Sequence, residues 1–204
     1  MIWAEGLVPD RSPQNLDEEI ALAQSRRQSE LTTEEDAVRA ASRDMLRLGR
    51  YKPTGRGKPA SEYLLRAATG DGLPRIWPAV DICNLISLRH LVPASVWDLD
   101  RAGRSFLARR GRAGESYVFN ASGQEIGLED LLLVSRMPED IPIVNPVKDC
   151  QETKTTGDSR NVAAVVYFPA EADLDQRAIC GEFERFLRDC GAEHTGHLIQ
   201  SGRP

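Results

Sequence analysis

Apolar and polar residues recur at helical spacing near the start of the chain. Asn15 can cap a helix, and the three acidic residues within the next four positions suit the positive end of a helix dipole, so we predict a helix over Asn15–Leu31. Thr32, with Glu35 three residues later, forms a capping box and predicts a second helix that ends at Gly49. The two helices would form a hairpin ahead of the core.

Later segments predict both strands and helices. Val162–Phe168 is a nearly continuous apolar run that is typical of a buried strand, and Ser116–Asn120 predicts another strand. Glu129–Val134 is an apolar run that fits either a helix or a strand. Ser61 is expected to cap a short helix, and Asp173–Cys190 predicts an amphipathic helix because its apolar residues repeat at helical spacing. This mixture indicates an α+β fold.

The segment Ala79–Leu88 predicts a helix that is buried on almost every side, and Pro78 suits its first turn. Asp81, Asn84 and Ser87 nevertheless share one face of this helix at three-residue spacing. A buried polar group without a partner costs roughly 1–3 kcal/mol. Two interpretations stay open: these side chains hold neighbouring loops, or the polar face lines a pocket in which Asn84 binds a ligand or a water.

Length and composition fit one domain. We place it at residues 50–191, after an N-terminal helical extension over residues 1–49 and before a loose C-terminal tail over residues 192–204. Apolar residues make up 41% of the chain and charged residues 28%, which is typical of a soluble globular protein. No apolar run approaches the ~20 residues that span a bilayer, and the N-terminus lacks the pattern of a secretory signal. We therefore expect no membrane association.

The cysteines are scattered without close pairing, which favours free thiols and a reducing, cytoplasmic location. They are Cys83, Cys150, Cys180 and Cys190. Cys190 with His194 and His197 offers half of a zinc site, but the spacing is loose and a fourth ligand would have to come from a distant part of the chain. We therefore expect no metal and no cofactor.

The net charge is −5, whereas a protein that holds nucleic acid by charge alone is usually basic. A nucleic-acid partner would therefore need a local basic patch. One candidate is the arginine-rich run over residues 101–112, and a second comprises Tyr51, Lys52, Arg56 and Lys58. Both clusters fit equally well a solvated face that balances the acidic residues.

The stretch Leu73–Asp100 reads LPRIWPAVDICNLISLRHLVPASVWDLD. It resembles the B3/B4 domain, the editing domain of the phenylalanyl-tRNA synthetase β chain, and it looks more similar to free-standing proteins of that family than to the synthetase itself. The matches, which keep their order and spacing, are Arg75, Pro78, Val80, Asp81, Asn84, Pro93, Asp98 and Asp100. Asn145–Thr156 is similar to the family's later pocket-lining segment, which precedes a buried strand.

The resemblance implies mixed β-sheet layers with packed helices. It also implies that the chain hydrolyses, in trans, the ester of a wrongly attached amino acid on tRNA, so aminoacylated tRNA would be its partner. This chemistry needs a positioned water and donors for an oxyanion rather than a Ser–His–Asp triad, and the sequence shows no convincing triad pattern. The family's histidine falls on Ser95 here, and the threonine before the family's asparagine falls on Cys83.

Site residues follow from this resemblance. Catalytic roles are expected for Asn84, Ser95 and Thr155. Substrate binding is expected for Asp81, Cys83, Lys148, Asp149, Gln151, Thr153 and Lys154. RNA contact is expected for Arg75, Arg104, Arg109, Arg110 and Arg112. Two alternatives stay open, a tRNA-binding module without turnover and a module that binds a free amino acid. A pocket of the expected kind requires Asn84, Ser95 and the Lys148–Thr155 loop to converge on one cavity.

Overall fold

The computed structural model describes residues 1–199, and its helices and strands make an α+β fold. The helices are α1 (Leu16–Arg26), α2 (Thr33–Asp44), α3 (Ala60–Ala68), α4 (Pro78–His90), α5 (Leu99–Ala102) and α6 (Gln176–Asp189). The strands are β1 (Ile2–Glu5), β2 (Ala94–Asp98), β3 (Phe106–Arg110), β4 (Ser116–Val118), β5 (Glu125–Gly127), β6 (Leu132–Arg136), β7 (Ile141–Val144), β8 (Val162–Val166) and β9 (His194–His197). A single 3-10 turn, Gly55–Gly57, lies in the loop between α2 and α3.

Within residues 1–199 these strands form a four-stranded sheet in the order β2-β8-β1-β9, a three-stranded sheet in the order β3-β6-β7, and the hairpin β4-β5. All of these strand pairs are antiparallel, and the sheets together with the helices packed on them confirm the expected α+β class. Neighbouring strands run in opposite directions whether a short turn joins them, as between β4 and β5, or they come from distant parts of the chain, as with β1 and β8.

Helix α4 lies at the centre of the fold, as its apolar sequence predicts. It begins at Pro78, and Ile82, Leu85 and Ile86 on it have no exposed surface. It packs on β2 and β8 of the four-stranded sheet and is flanked by α1, α3 and α6. Leu91 ends it in the left-handed conformation. Each fully buried aliphatic side chain contributes about 1.5–3 kcal/mol, so α4 anchors the main core.

The four-stranded sheet also contacts the three-stranded sheet. Trp97 of β2 and Ala163 of β8 form a second buried cluster with Val134, Ile143 and Val144. The fold is therefore layered, with α4 and α6 against the four-stranded sheet and the three-stranded sheet beyond it.

The N-terminal segment differs from the expected hairpin. The sequence reading missed β1, which pairs with both β8 and β9. Helix α1 ends at Arg26, before the expected Leu31, and the Asn15 side chain makes no cap hydrogen bond. The capping box of Thr32 and Glu35 is confirmed, but α2 ends at Asp44 and not at Gly49.

Helix α1 is integral to the main core. Leu16, Ile20 and Ala23 of this helix are buried in the same cluster as the apolar face of α4. The division at residue 50 stays a prediction, but the residues of β1 and α1 share their core with the later part of the chain.

The expectation of a loose tail was wrong for residues 194–197. They form β9, which pairs with β1 at the edge of the sheet. A Cβ atom at Gly196 would lie 2.4 Å from the Trp3 ring, so a glycine is what allows this strand to approach. Residues 200–204 lie outside the described residues. The sequence HTGH has no alternation of apolar and polar residues, which explains why it did not read as a strand.

Other local expectations had mixed outcomes. The strands at Ser116 and Val162 and the amphipathic helix α6 are confirmed. The ambiguous apolar run contributes to strand β6. Ser61 does not cap α3, because Pro59 occupies the cap position and the Ser61 hydroxyl is buried without a partner within the described chain. The four cysteines are free and buried, and none of the helices found between residues 1 and 199 is long and apolar enough to cross a membrane.

Two leucines of α1 test whether this helix belongs to the core. Leu16 is 0% exposed and Leu22 is 66% exposed on the same helix. We expect Leu16→Ala to lower the free energy of unfolding by about 2–5 kcal/mol, because it leaves a cavity, and Leu22→Ala to change it by less than about 0.5 kcal/mol. Urea denaturation of both variants measures the difference. Equal small effects would show that α1 is a detachable extension.

Candidate functional site

A pocket of about 370 Å³ lies where α3, α4, β2 and residues 145–155 meet. One part of its lining is apolar and comprises Ala60, Leu64, Pro74, Ile76 and Val80. Ile76 is 51% exposed, so apolar surface remains available to a ligand. An apolar lining interrupted by a few polar groups is typical of small-molecule sites.

The polar part of the pocket is built around Ser95 and Asp149. Strand β2 fixes Ser95 by pairing it with Val165. The Ser95 hydroxyl donates to Asp149 Oδ1 at 2.7 Å, and it lies 3.3 Å from the Asn145 carbonyl oxygen and 3.4 Å from the Tyr167 hydroxyl. A hydroxyl has one hydrogen to donate, and a carboxylate is the strongest acceptor of the three, so the bond to Asp149 dominates.

The Asp149 carboxyl has an unusual proton affinity. Removal from water raises its pKa from 3.8 to about 7, although the Ser95 hydrogen bond and the nearby Lys154 ammonium oppose the shift. Desolvation disfavours the charged form, and this effect outweighs the contacts that stabilise the carboxylate, which include a backbone hydrogen bond from Asn145. A carboxyl group with a pKa near 7 can accept and return a proton at neutral pH, which is what general acid–base catalysis requires.

Asn145 fixes the loop that carries Asp149, and the sequence reading gave it no role. Its side-chain oxygen accepts from the backbone N–H groups of Val147 and Lys148 at 2.8 and 2.9 Å. Its amide donates to the Tyr117 hydroxyl, which in turn donates to the Lys148 carbonyl at 2.7 Å. Asn145 is 1% exposed. This network holds Asp149 in place, and the Asn-Pro start of the polar segment was its only signal in the sequence.

Tyr167 is the other contact that the sequence reading missed. It belongs to the run read as a strand, and its side chain reaches Ser95. Burial raises the pKa of Tyr167 well above its ordinary value, so the phenol stays protonated beside Asp149.

The structure brings together seven of the ten residues that were expected to act in catalysis or substrate binding. Those lining the pocket are Cys83, Asn84, Ser95, Lys148, Asp149, Lys154 and Thr155. Asn84 comes from α4, Ser95 from β2 and the others from α4 or the 145–155 segment, so convergence on one cavity is a result of the tertiary fold. Their chemical roles stay predictions.

Asp81, Gln151 and Thr153 do not line this pocket. Asp81 accepts from the Ile76 N–H at 2.8 Å and from Arg75 Nε at 2.9 Å, which fixes the segment before α4. The Gln151 N–H donates to the Val118 carbonyl, and the Thr153 carbonyl accepts from the Asp98 N–H. Each holds backbone in place, which the polar character of the segment alone did not reveal.

Cys83 lines the pocket as a neutral thiol. Burial, followed by the nearby Asp149 carboxylate, raises its pKa far above that of an ordinary cysteine. A thiolate is the nucleophilic form, so this environment disfavours covalent catalysis by Cys83.

The arginines expected to contact RNA are already engaged by the protein. Arg109, whose side chain is 11% exposed, pairs with Glu115 at 2.8 Å and Asp140 at 2.7 Å. Arg112 pairs with Asp140 as well. The remaining contacts are those of Arg104 with Glu5, Arg75 with Asp17 and Asp81, and Arg110 with the carbonyls of Met45 and Asp130. Contact of these arginines with RNA stays a prediction. The contacts within the protein do not favour it, because the charges already have partners.

The C-terminal cysteine and histidines do not converge. Cys190 is 2% exposed, and His197 Nδ1 lies 2.6 Å from Glu184 Oε2. Between residues 1 and 199 there is no group of three or more His, Cys, Asp or Glu side chains placed to hold a metal ion.

Comparison with known proteins gives one positive finding. No curated protein sequence matches the chain significantly. The family model described as "B3/4 domain" matches residues 51–182, which include α3, α4, the three-stranded sheet, β8 and the whole pocket lining. Because the match covers more than half of the 204 residues, the chain belongs to the B3/4 domain family.

Proposed function

We propose that the chain hydrolyses the aminoacyl ester of mischarged tRNA in trans. The observation that carries the proposal is the convergence of Asn84, Ser95, Asp149 and Thr155 on one cavity with an apolar wall. Membership of the B3/4 family and the resemblance to the synthetase editing domain support a tRNA-derived ester as substrate. The apolar wall would hold the amino-acid side chain, and the polar residues would face the ester.

Asp149 is the group suited to act as general base. As a carboxylate it accepts a proton from a water molecule, whose oxygen forms the new bond to the ester carbonyl carbon. The proton then passes from Asp149 to the departing ribose oxygen as the C–O ester bond breaks. The products are a free amino acid and a tRNA with a free terminal hydroxyl. Ser95 orients the carboxyl through the 2.7 Å hydrogen bond.

The developing negative charge on the carbonyl oxygen needs hydrogen-bond donors. The Asn84 amide and the Thr155 hydroxyl line the same cavity as Asp149, and the Lys154 ammonium lies close enough to lower the pKa of that carboxyl. Removing one such donor typically costs about 10²–10³ in turnover. With these donors on the carbonyl oxygen, Asp149 can act as the base in place of a histidine, because its raised pKa lies near neutral pH.

One observation favours a second candidate, a binding module without turnover. The Ser95 hydroxyl, at the position of the family's histidine, is already engaged by Asp149. In this alternative the Asp149 carboxylate would bind the ammonium group of a free or esterified amino acid, and no water would be activated. Turnover measurements separate the two candidates.

Substitution of the base tests the proposal directly. We expect Asp149→Asn to lower the rate of amino-acid release from mischarged tRNA by about 10²–10⁴, because a neutral amide cannot accept the proton. The assay follows release from a panel of purified mischarged tRNAs.

Asp173→Asn, at an exposed carboxylate away from the pocket, is the matched control and should keep the rate of the unmodified chain. Thermal unfolding should confirm that both variants are folded. Absence of release by the folded, unmodified chain with every tRNA in the panel would leave only the binding module.

The pH dependence of the rate gives an independent test. The active form of Asp149 is the carboxylate, so the rate should rise with pH up to about 7, where its pKa lies, and then level off. The Ser95 hydrogen bond lowers that pKa, so Ser95→Ala should move the rising limb to higher pH. Single-turnover rates between pH 5 and 9 measure both effects. If the rate rises over the same pH range in both proteins, Asp149 is excluded as the titrating base.

A further inference from the structure

The cations near the pocket differ in their partners from most arginines of the 101–112 run. The arginines of the 101–112 run are mostly neutralised, since Arg101, Arg104, Arg109 and Arg112 each lie within 4.0 Å of a carboxylate. By contrast, Arg56, Lys58, Lys148 and Lys154 have no carboxylate oxygen within that distance among residues 1–199. We call these four residues the cationic rim.

Two members of the cationic rim line the pocket itself, and a third is close to them. Lys148 Nζ lies 3.9 Å from the centroid of the Phe119 ring, and Lys154 Nζ donates to the Phe119 carbonyl at 2.6 Å. The Arg56 guanidinium is near enough to Lys148 to help lower the pKa of that ammonium, after burial. The like charges of Arg56 and Lys148 repel each other, and a bound anion would relieve the repulsion.

The fourth member extends the cationic rim along α3. Lys58 lies two residues before Ala60 of the pocket and lines a neighbouring hollow of about 430 Å³ with Tyr63 and Arg66. Tyr63 is 37% exposed and donates to the Gly55 carbonyl at 3.0 Å, which places its ring beside the loop that carries Arg56. An exposed aromatic ring next to unpaired cations is the usual composition of a single-stranded nucleic-acid track.

We infer that the cationic rim, Arg56, Lys58, Lys148 and Lys154, binds phosphates of a single-stranded RNA end and leads its terminal ribose into the pocket, with a base stacked on Tyr63. This inference deepens the proposed function, on which it rests for the identity of the ligand. It moves the RNA surface from the arginine-rich run to the loop before α3. The arginine-rich run then has a structural role, which its ion pairs supply.

The test uses a fluorescent single-stranded RNA with a free 3′ hydroxyl, so that binding is measured without ester hydrolysis. We expect the double variant Arg56→Ala/Lys58→Ala to weaken binding at least tenfold. We also expect it to reduce the slope of log affinity against log salt by about 1.4, at roughly 0.7 per lost single-strand phosphate contact. Fluorescence anisotropy between 50 and 300 mM salt measures both values.

The matched control is Arg104→Ala/Arg112→Ala, which removes two exposed charges that are paired with carboxylates. Its affinity should stay within twofold of the unmodified chain. An equal loss in both variants, or a loss in the control alone, would overturn the inference. The chain could bind RNA through the cationic rim and still show no deacylase activity. That result would overturn the proposed function but would support the inference that the cationic rim binds RNA.

Discussion

The burial of α4 is the constraint on which the rest of the structure depends. This helix is apolar on nearly every side, so the sheet, α1, α3 and α6 all have to cover it. The three polar residues within its apolar stretch, Asp81, Asn84 and Ser87, must then be satisfied inside the fold. Asp81 holds the preceding segment, and the Ser87 hydroxyl donates to the Val92 carbonyl at 2.7 Å. Asn84 alone of the three lines the pocket, so the same burial that stabilises the core also defines the site.

The chemistry of the pocket follows from where the sheet places Ser95. Strand β2 is an edge strand of the four-stranded sheet, and its pairing with β8 turns Ser95 towards the loop fixed by Asn145. A serine there is a poor base, but it donates to a carboxyl whose surroundings raise its pKa to about 7. The pocket therefore contains a titrating group, Asp149, although a serine stands where the resemblance would place the family's histidine.

Features set by neighbouring residues were predictable from the sequence, whereas features set by distant pairing were not. The capping box at Thr32 and the buried stripe of α6 depend on residues a few positions apart, and both were predicted. Strand β1 pairs with residues more than 150 positions away, and its four residues carry no local signal of that pairing. The site behaved in the same way. Seven of the ten residues expected to form the pocket line it. The raised pKa of Asp149, however, results from its burial by the tertiary fold and is moderated by Ser95, 54 positions away, and neither has a local signal in the sequence.

The distribution of charge is a further feature that the sequence alone does not predict, because it depends on which residues the fold pairs. It also bears on how an acidic chain can present a surface for an anion. The net charge of −5 is a sum over the whole chain and does not describe any one face. Carboxylates such as Glu115 and Asp140 lie against the arginine-rich run and neutralise it. The cationic rim beside the pocket has no such carboxylate partners among residues 1–199. Electrostatic attraction depends on the local potential rather than on the net charge, so an anion that approaches the pocket would meet these unpaired positive charges.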